Sequence, residues 1–424
     1  MANREELIKI VHNADQCLTE LYGAENVAVQ KSRYITAIEE FCERYGDKDN
    51  LVIFSAPGRT EIGGNHTDHN LGKVLAGSVN LDVIAVCSKT DSEWICVKSE
   101  GYPEDKISVN DLSIHENEAG KSASLVRGMA ARFQQFGYKI GGFEAYTTTN
   151  VLKGSGLSSS AAFEVLIGTV LNGLYNEGVV SPVEIAKMAQ YAENEYFKKP
   201  CGLMDQMASS VGGIVAIDFK DKEHPLIEKV NFDFSKSGYA LCIVDTGGNH
   251  ADLTDEYASI PEEMKAVAGH FGKSVLREVS KEDILSDLMA LREKFGDRAV
   301  LRAFHYLDDN ERVEKEVEAL NQGDFETFKD MIISSGNSSF RFLQNVYAAK
   351  NPKEQGLSLA LYLAQSILDG KGAYRVHGGG FGGTTQNFVP FDMVEQFRNV
   401  MESVFGNGKC HILFIRNCGG VKVL

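Results

Sequence analysis

Residues Leu152 to Phe163, LKGSGLSSSAAF, constrain this chain more than any other stretch. A glycine-rich turn runs into three serines and then into an apolar-periodic segment. Gly154 and Gly156 permit backbone angles closed to other residues. Ser158, Ser159 and Ser160 bring hydroxyls beside the free N–H groups and positive dipole end of the helix that follows. That helix is predicted because Ala161, Val165, Leu166, Thr169, Val170 and Leu174 recur at three- and four-residue spacing. Ser158 or a neighbour is its expected N-cap. The arrangement is a cradle for an anion and suits a nucleotide's phosphates. An ordinary capped helix after a glycine turn fits the same residues, so other stretches must decide.

At 424 residues the chain exceeds the size at which single cores usually stop growing, and two domains are expected. A hydrophobic share of 43% and a charged share of 24% are those of a soluble globular protein. The net charge of −16 argues against nucleic acid or an anionic membrane as partner, because both need a basic surface. Any anionic ligand must be held by local dipoles and a few cations. The first residues lack the pattern of a signal peptide, and no apolar run is long enough to span a bilayer. The eight cysteines are scattered without CxxC or zinc spacing, which fits free thiols in a reducing cytoplasm.

Residues 3 to 46 read as helical, and Leu51 to Ser55 as a buried strand that Ala56-Pro57-Gly58 breaks. A polar cluster follows from Gly58 to Gly72, packing Arg59, Asn65, His66, Asp68, His69 and Asn70 between glycines. It reads as a site for a sugar or another polar small molecule. A metal site at His66, Asp68 and His69 is a second reading, but the spacing lacks a helical setting and a distant third ligand. A solvated loop is the third. Val74 to Cys87 and Glu93 to Val97 read as strands, Ser122 to Phe136 as a helix, and Gly142 to Thr149 as a strand entering the glycine turn.

Ser181-Pro182-Val183-Glu184 carries the marks of a capping box. The helix turns Ile185, Met188, Ala189, Ala192 and Tyr196 inward, with Glu193 at the edge of that stripe. A carboxylate there is a candidate metal ligand, or a solvated flank residue. In CGLMDQMASSVGG, Asp205 and Gln206 interrupt apolar residues, and an acid so placed is either paired or chemical. A charged connector near Asp221 suggests division into domains 1–220 and 221–424. Beyond it come a strand at Tyr239 to Val244 and a long helical, acidic middle from Pro261 to Lys350. YRVHGGGFGGTTQNFV satisfies GxGxxG at Gly378, Gly380 and Gly383, yet a strand follows instead of a helix. A glycine loop between two strands is expected there, not a dinucleotide site.

Taken in order, these stretches resemble the GHMP kinases, and within them the galactokinases. The matching motifs are PGR with its HTD loop at Pro57 to Asn70, GSGLSSSAA at Gly154 to Ala162, CG-x-MDQ at Cys201 to Gln206, and GGGFGG at Gly378 to Gly383. The resemblance implies a two-domain α/β (α+β) fold with the active site between the domains. It implies ATP phosphates on Gly154, Ser155, Gly156, Leu157, Ser158, Ser159 and Ser160, and phosphoryl transfer to the anomeric hydroxyl of a hexose. By position, Asp205 would orient or deprotonate that hydroxyl, Arg59 would neutralise charge, and Ser159 and Glu193 would hold Mg²⁺. His66, Asp68, Gly202 and Tyr257 match sugar-contacting positions.

Galactokinases usually read GEHTDYN where this chain reads GNHTDHN. Asn65 therefore replaces a glutamate that meets the C6 end of galactose, and His69 replaces a tyrosine. Galactose, phosphorylated to galactose 1-phosphate as in Leloir-type metabolism, is the expected substrate. Loss of a carboxylate near C6 would relieve repulsion against a uronic acid, and plant galacturonokinases also lack that glutamate and carry a histidine in the second place, so galacturonate, or another hexose phosphorylated at C1, is the alternative. A non-enzymatic galactose and ATP sensor is a third possibility, disfavoured by the intact LSSSAA, Glu193 and Asp205. The implied partners are a sugar and ATP, with no nucleic acid or membrane, in a cytoplasmic monomer or weak homo-oligomer.

Overall fold

The computed structural model describes residues 2–152, 156–221, 224–247 and 253–424, except for the Thr254 side chain. Its strands are β1 (Leu51–Gly63), β2 (Lys73–Lys89), β3 (Trp94–Ser99), β4 (Glu104–Ser108), β5 (Phe143–Thr149), β6 (Ile214–Asp218), β7 (Leu226–Val230), β8 (Tyr239–Asp245), β9 (Ala373–His377), β10 (Thr384–Pro390), β11 (Cys410–Leu413) and β12 (Val421–Lys422). Eight of them form one sheet in the order β12-β1-β2-β5-β3-β4, with β6 on β2 and β7 on β6. The other four make a second sheet, β11-β8-β10-β9. β2 is long enough to change partner: Val83 to Lys89 pair with β5, whereas Lys73 to Gly77 pair with β6. The mixed α/β architecture expected from the sequence is the one the chain adopts.

One expectation needs correction. β1 does not break at Pro57 but runs on to Gly63, because register shifts between Pro57 and Arg59 and between Glu61 and Gly63 absorb the irregularity. Bulges of this kind re-aim side chains, and here the affected residue is Arg59. The charged connector near Asp221 lies between β6 and β7, which pair as antiparallel neighbours within the larger sheet. The change of sheet thus falls between Val230 and Tyr239, and β12 returns the C-terminus to the first sheet.

Three helices position the chemistry: α1 (Ser159–Tyr175), α2 (Pro182–Tyr191) and α3 (Met204–Val211). In α1, Ala161, Val165, Leu166 and Val170 are all fully buried as their spacing predicts, and Thr169 nearly so. Each such large apolar side chain contributes about 1.5–3 kcal/mol by leaving water. The capping box of α2 is present, with the Ser181 hydroxyl accepting from the Glu184 N–H at 3.2 Å. Two helices of the second half matter too: α4 (Leu288–Gln322), interrupted at Gly296, and α5 (Phe325–Ser338). α4 reaches across to the first half, where the Asn310 carboxamide oxygen accepts from the Lys73 N–H at 2.7 Å. Among the described residues, no helix is long and apolar enough to cross a membrane, and all eight cysteines are free.

Candidate active site

Arg59 leaves the β1 bulge almost buried, and its Nε donates to Asp205 Oδ1 at 2.7 Å. Its Nη1 donates to the Gly156 carbonyl, and its backbone N–H to the Leu157 carbonyl at 3.0 Å. One arginine thus touches both the glycine- and serine-rich loop before α1 and the acid in the first turn of α3. Ser158 stands at the N-cap of α1 with left-handed backbone angles (φ 57°, ψ 63°), and its side chain does not cap the helix as expected. Its hydroxyl donates to Asp205 Oδ2 instead. Burial alone raises the Asp205 pKa, but the Arg59 charge, its hydrogen bond and the Ser158 hydroxyl outweigh that and lower it. The carboxylate is therefore ionised at neutral pH while its side chain stays 31% exposed.

Glu193 lies in a π-helical turn, Ala192–Tyr196, that continues α2. The extra residue per turn brings a side chain expected at the stripe's edge fully into the interior. Lys199 Nζ pairs with Glu193 Oε1 at 2.9 Å, and Gln206 Nε2 donates to Oε2 at 2.8 Å. The serine hydroxyl that reaches this carboxylate, at 3.5 Å, is that of Ser160, while Ser159 opens α1. Gly154 and Ser155 lie outside the described residues. Glu164, one turn beyond Ser160, also enters the cluster, accepting from Gln206 Nε2 at 3.1 Å. Its burial, and next the Glu193 charge, push its pKa well up, and its Oε1 has no partner among the described residues. A group of hard oxygen donors such as Ser160, Glu164 and Glu193 is of the kind that suits Mg²⁺. Sequence reasoning missed Glu164 and Lys199. A glutamate on the apolar face of α1, spaced one turn from Ser160, was the available signal for the first.

The other expected residues converge from both halves. His66, with φ 60°, donates from Nε2 to the Gly379 carbonyl at 2.9 Å, and burial brings its pKa down to about 4. A Cβ on Gly202 would lie 2.6 Å from Asp68 Oδ2, so only glycine lets that carboxylate approach α3. The Tyr257 hydroxyl donates to the Gly380 carbonyl at 2.7 Å, and its ring occupies the space a Cβ on Gly379 would need. The glycine loop joins β9 to β10 as expected, with Gly378, Gly380 and Gly383 at φ 66°, 83° and 86°. The metal reading of His66, Asp68 and His69 finds no support, since no metal-holding cluster occurs among the described residues. Asn65 is the exception among the residues expected to meet a sugar: it is fully buried and bound to Glu61, Gly378, Ser339 and Asn345.

This geometry can be set beside known proteins. Residues 124–213 match the GHMP kinases N terminal domain, and residues 39–89 match the galactokinase galactose-binding signature. The galactokinase of Mannheimia succiniciproducens is 30% identical over 368 residues, covering 85% of this chain and 91% of its own. The chain belongs to the galactokinase family. The galactokinase of Actinobacillus pleuropneumoniae is 31% identical over 371 residues, 86% of this chain and 92% of its own. In fold, this family member matches the crystal structure of Lactococcus lactis galactokinase complexed with galactose with a TM-score of 0.76 at 24% identity, over 91% of this chain and 98% of that one. A mevalonate kinase structure matches more distantly, with a TM-score of 0.62 at 13% identity over 86% and 99%.

Proposed function

We propose that this chain is an ATP-dependent sugar 1-kinase that converts galactose to galactose 1-phosphate and ADP. The observation that carries the reading is the Arg59–Asp205 pair at 2.7 Å, held against the loop that opens α1. The galactokinase relatives and the galactose-binding signature support galactose as acceptor.

The C1 hydroxyl donates to Asp205 in the place the Ser158 hydroxyl now occupies. Its oxygen attacks the γ-phosphorus, the bond to the bridging β–γ oxygen breaks, and the hydroxyl proton passes to Asp205. A lowered pKa makes Asp205 a weak base, so its work is to orient the hydroxyl and accept the proton late, after most of the new bond has formed. Arg59 offsets negative charge beside the transferred group. The N–H groups and dipole of α1 cradle the phosphates. Ser159 and Glu193, with Ser160 and Glu164 close by, are the residues that would hold Mg²⁺, which supplies charge neutralisation on the phosphates when bound. His66, Asp68, Gly202 and Tyr257 surround the hexose. Free cysteines fit a reducing cytoplasm.

The galacturonate alternative drew partly on Asn65 lying near C6, and the full burial of that side chain weighs against this part of it. The test is an assay of ATP-dependent sugar 1-phosphate formation across hexoses and hexuronic acids. Galactose should give the highest kcat/KM. A preference for galacturonate, or binding of galactose and ATP without turnover, would replace this reading.

A further inference from the structure

An asparagine carboxamide offers two N–H donors and one oxygen with two lone pairs. At Asn65 all of them are used within the protein. Nδ2 donates to Glu61 Oε1 at 2.8 Å and to the Gly378 carbonyl at 2.7 Å. Oδ1 accepts from Asn345 Nδ2 at 2.8 Å and from the Ser339 hydroxyl at 3.2 Å. The orientation follows from chemistry, because the Gly378 carbonyl can only accept. The main chain is used as well: its N–H donates to Asp309 Oδ2 at 2.8 Å, and its carbonyl accepts from His305 Nε2 at 3.0 Å. A fully buried residue without spare hydrogen-bonding capacity has nothing to offer a sugar hydroxyl.

Its partners show what it does instead. Three successive carbonyls of the glycine loop are each held by a side chain. Asn65 holds Gly378, His66 and Asn345 hold Gly379, and Tyr257 holds Gly380. Two of these donors are neighbours in the loop that follows β1. At the base of the glycine loop, His377 is buried between Thr60 at 3.0 Å and Thr384 at 2.9 Å. Gly156 of the phosphate loop packs onto the same ring, and a Cβ there would lie 3.1 Å from His377 Nδ1. The glycine loop therefore lies between the sugar loop and the phosphate loop.

We propose that Asn65 is a positioning residue: it fixes the sugar loop to the glycine loop, and so sets the sugar against Asp205, without touching the sugar. The proposal rests on reading residues 65–70 as the sugar loop of a hexose kinase. Its scale is that of misplacement, where about 1 Å can cost about 100-fold in rate.

Asn65→Asp keeps the shape but turns an acceptor toward the Gly378 carbonyl, and it is compared with wild type on galactose and on 2-, 3-, 4- and 6-deoxygalactose. The expected result is a fall of about 10- to 100-fold in kcat/KM by a similar factor for every sugar, with kcat itself reduced well below the melting temperature. Asn345→Ala, which removes donors to both Asn65 and Gly379, should give a smaller loss of the same pattern that does not add to the first. If Asn65→Asp does not fold, Asn345→Ala carries the same series. A loss that vanishes for one deoxy sugar would mean direct contact with that hydroxyl and would overturn the proposal. So would a wild-type kcat in folded variants, which would make the contact a matter of stability alone. A wild type that phosphorylates no hexose would bring down the function and this proposal together, whereas the other failures leave the function standing.

Discussion

β1 carries two arginine–carboxylate pairs whose contributing residues stand two apart, and they behave oppositely. Arg59 meets Asp205 at 2.7 Å with the acid's side chain 31% exposed, and the Asp205 pKa is lowered. Glu61 meets Arg375 at 3.1 Å with exposures of 7% and 0%, and there burial outweighs the arginine, so the Glu61 pKa is raised. The same charge pair thus leaves a partly exposed, ionised carboxylate at one place and a closed, buried one at the other. The difference lies in what else each carboxylate sees: solvent and a replaceable serine hydroxyl for Asp205, a closed amide and guanidinium network for Glu61.

The largest effect should come from opening the closed pair. Arg375 also donates to the carbonyls of Ile62 and Val376, so Arg375→Met strands a buried acid and two carbonyls. A loss of about 3–5 kcal/mol is expected. The sign of its pH dependence follows from the raised pKa of Glu61: the folded state takes up a proton that the unfolded chain releases. Stability linked to that proton is present at low pH and lost as pH rises through the folded pKa. Denaturant midpoints of variant and wild type should therefore lie closest in acid and separate toward neutral pH. A constant gap would mean that Glu61 does not titrate in the fold.

At the open pair the effect should appear in rate and leave stability nearly alone. Asp205→Asn keeps the shape but cannot accept the hydroxyl proton, and kcat should fall by at least about 100-fold, about 2.7 kcal/mol of barrier. Because the Asp205 pKa is lowered, wild-type kcat/KM should show no Asp205 titration between pH 5 and 8, and the acid limb should lie below the ordinary aspartate value of about 3.9. Arg59→Met should move that limb upward. Near-normal turnover in folded Asp205→Asn would end the comparison.

The sequence disclosed the open pair more readily than the closed one, for a physical reason. Arg59, the serine loop and Asp205 sit in short stretches where glycines and polar residues break an apolar pattern, and such interruptions are visible locally. The network around Asn65 is built from residues 61, 65, 309, 345, 375 and 378, brought together only by the packing of α4 and the second sheet. Nothing local distinguishes a polar loop residue that faces solvent from one that a distant helix covers. The position of Glu193 depended on a π turn, whose extra residue no helical periodicity announces. The short strands β6, β11 and β12 were illegible because each derives its stability from a partner distant in sequence, β2, β8 and β1 respectively, and β7 is a strand only by its pairing with β6.

A smaller effect is expected at the residues proposed to hold Mg²⁺. Ser159→Ala and Glu193→Gln should each raise the Mg²⁺ concentration for half-maximal activity by about tenfold, the scale on which groups around a metal act, with little change in KM for sugar. A Mg²⁺ titration decides, and an unchanged requirement in both variants would place the ligands elsewhere.

Lys199 should give the smallest effect, and its direction is informative. Its ammonium pairs with Glu193 at 2.9 Å but is 59% exposed, so solvent and salt screen most of the attraction. Exposed pairs are worth about 0–1 kcal/mol. The ammonium occupies the carboxylate that a cation would need, so Lys199→Met should lower the Mg²⁺ requirement by no more than about fivefold, the equivalent of that energy. Raising the salt concentration should shrink the difference between variant and wild type, because the same screening weakens the pair in the wild type. A raised Mg²⁺ requirement would assign the lysine a different role, as a cation for the ATP phosphates themselves. In that case KM for ATP would rise in step with it, and the open region would be organised around two cations, Arg59 and Lys199, where the closed one has Arg375 on Glu61.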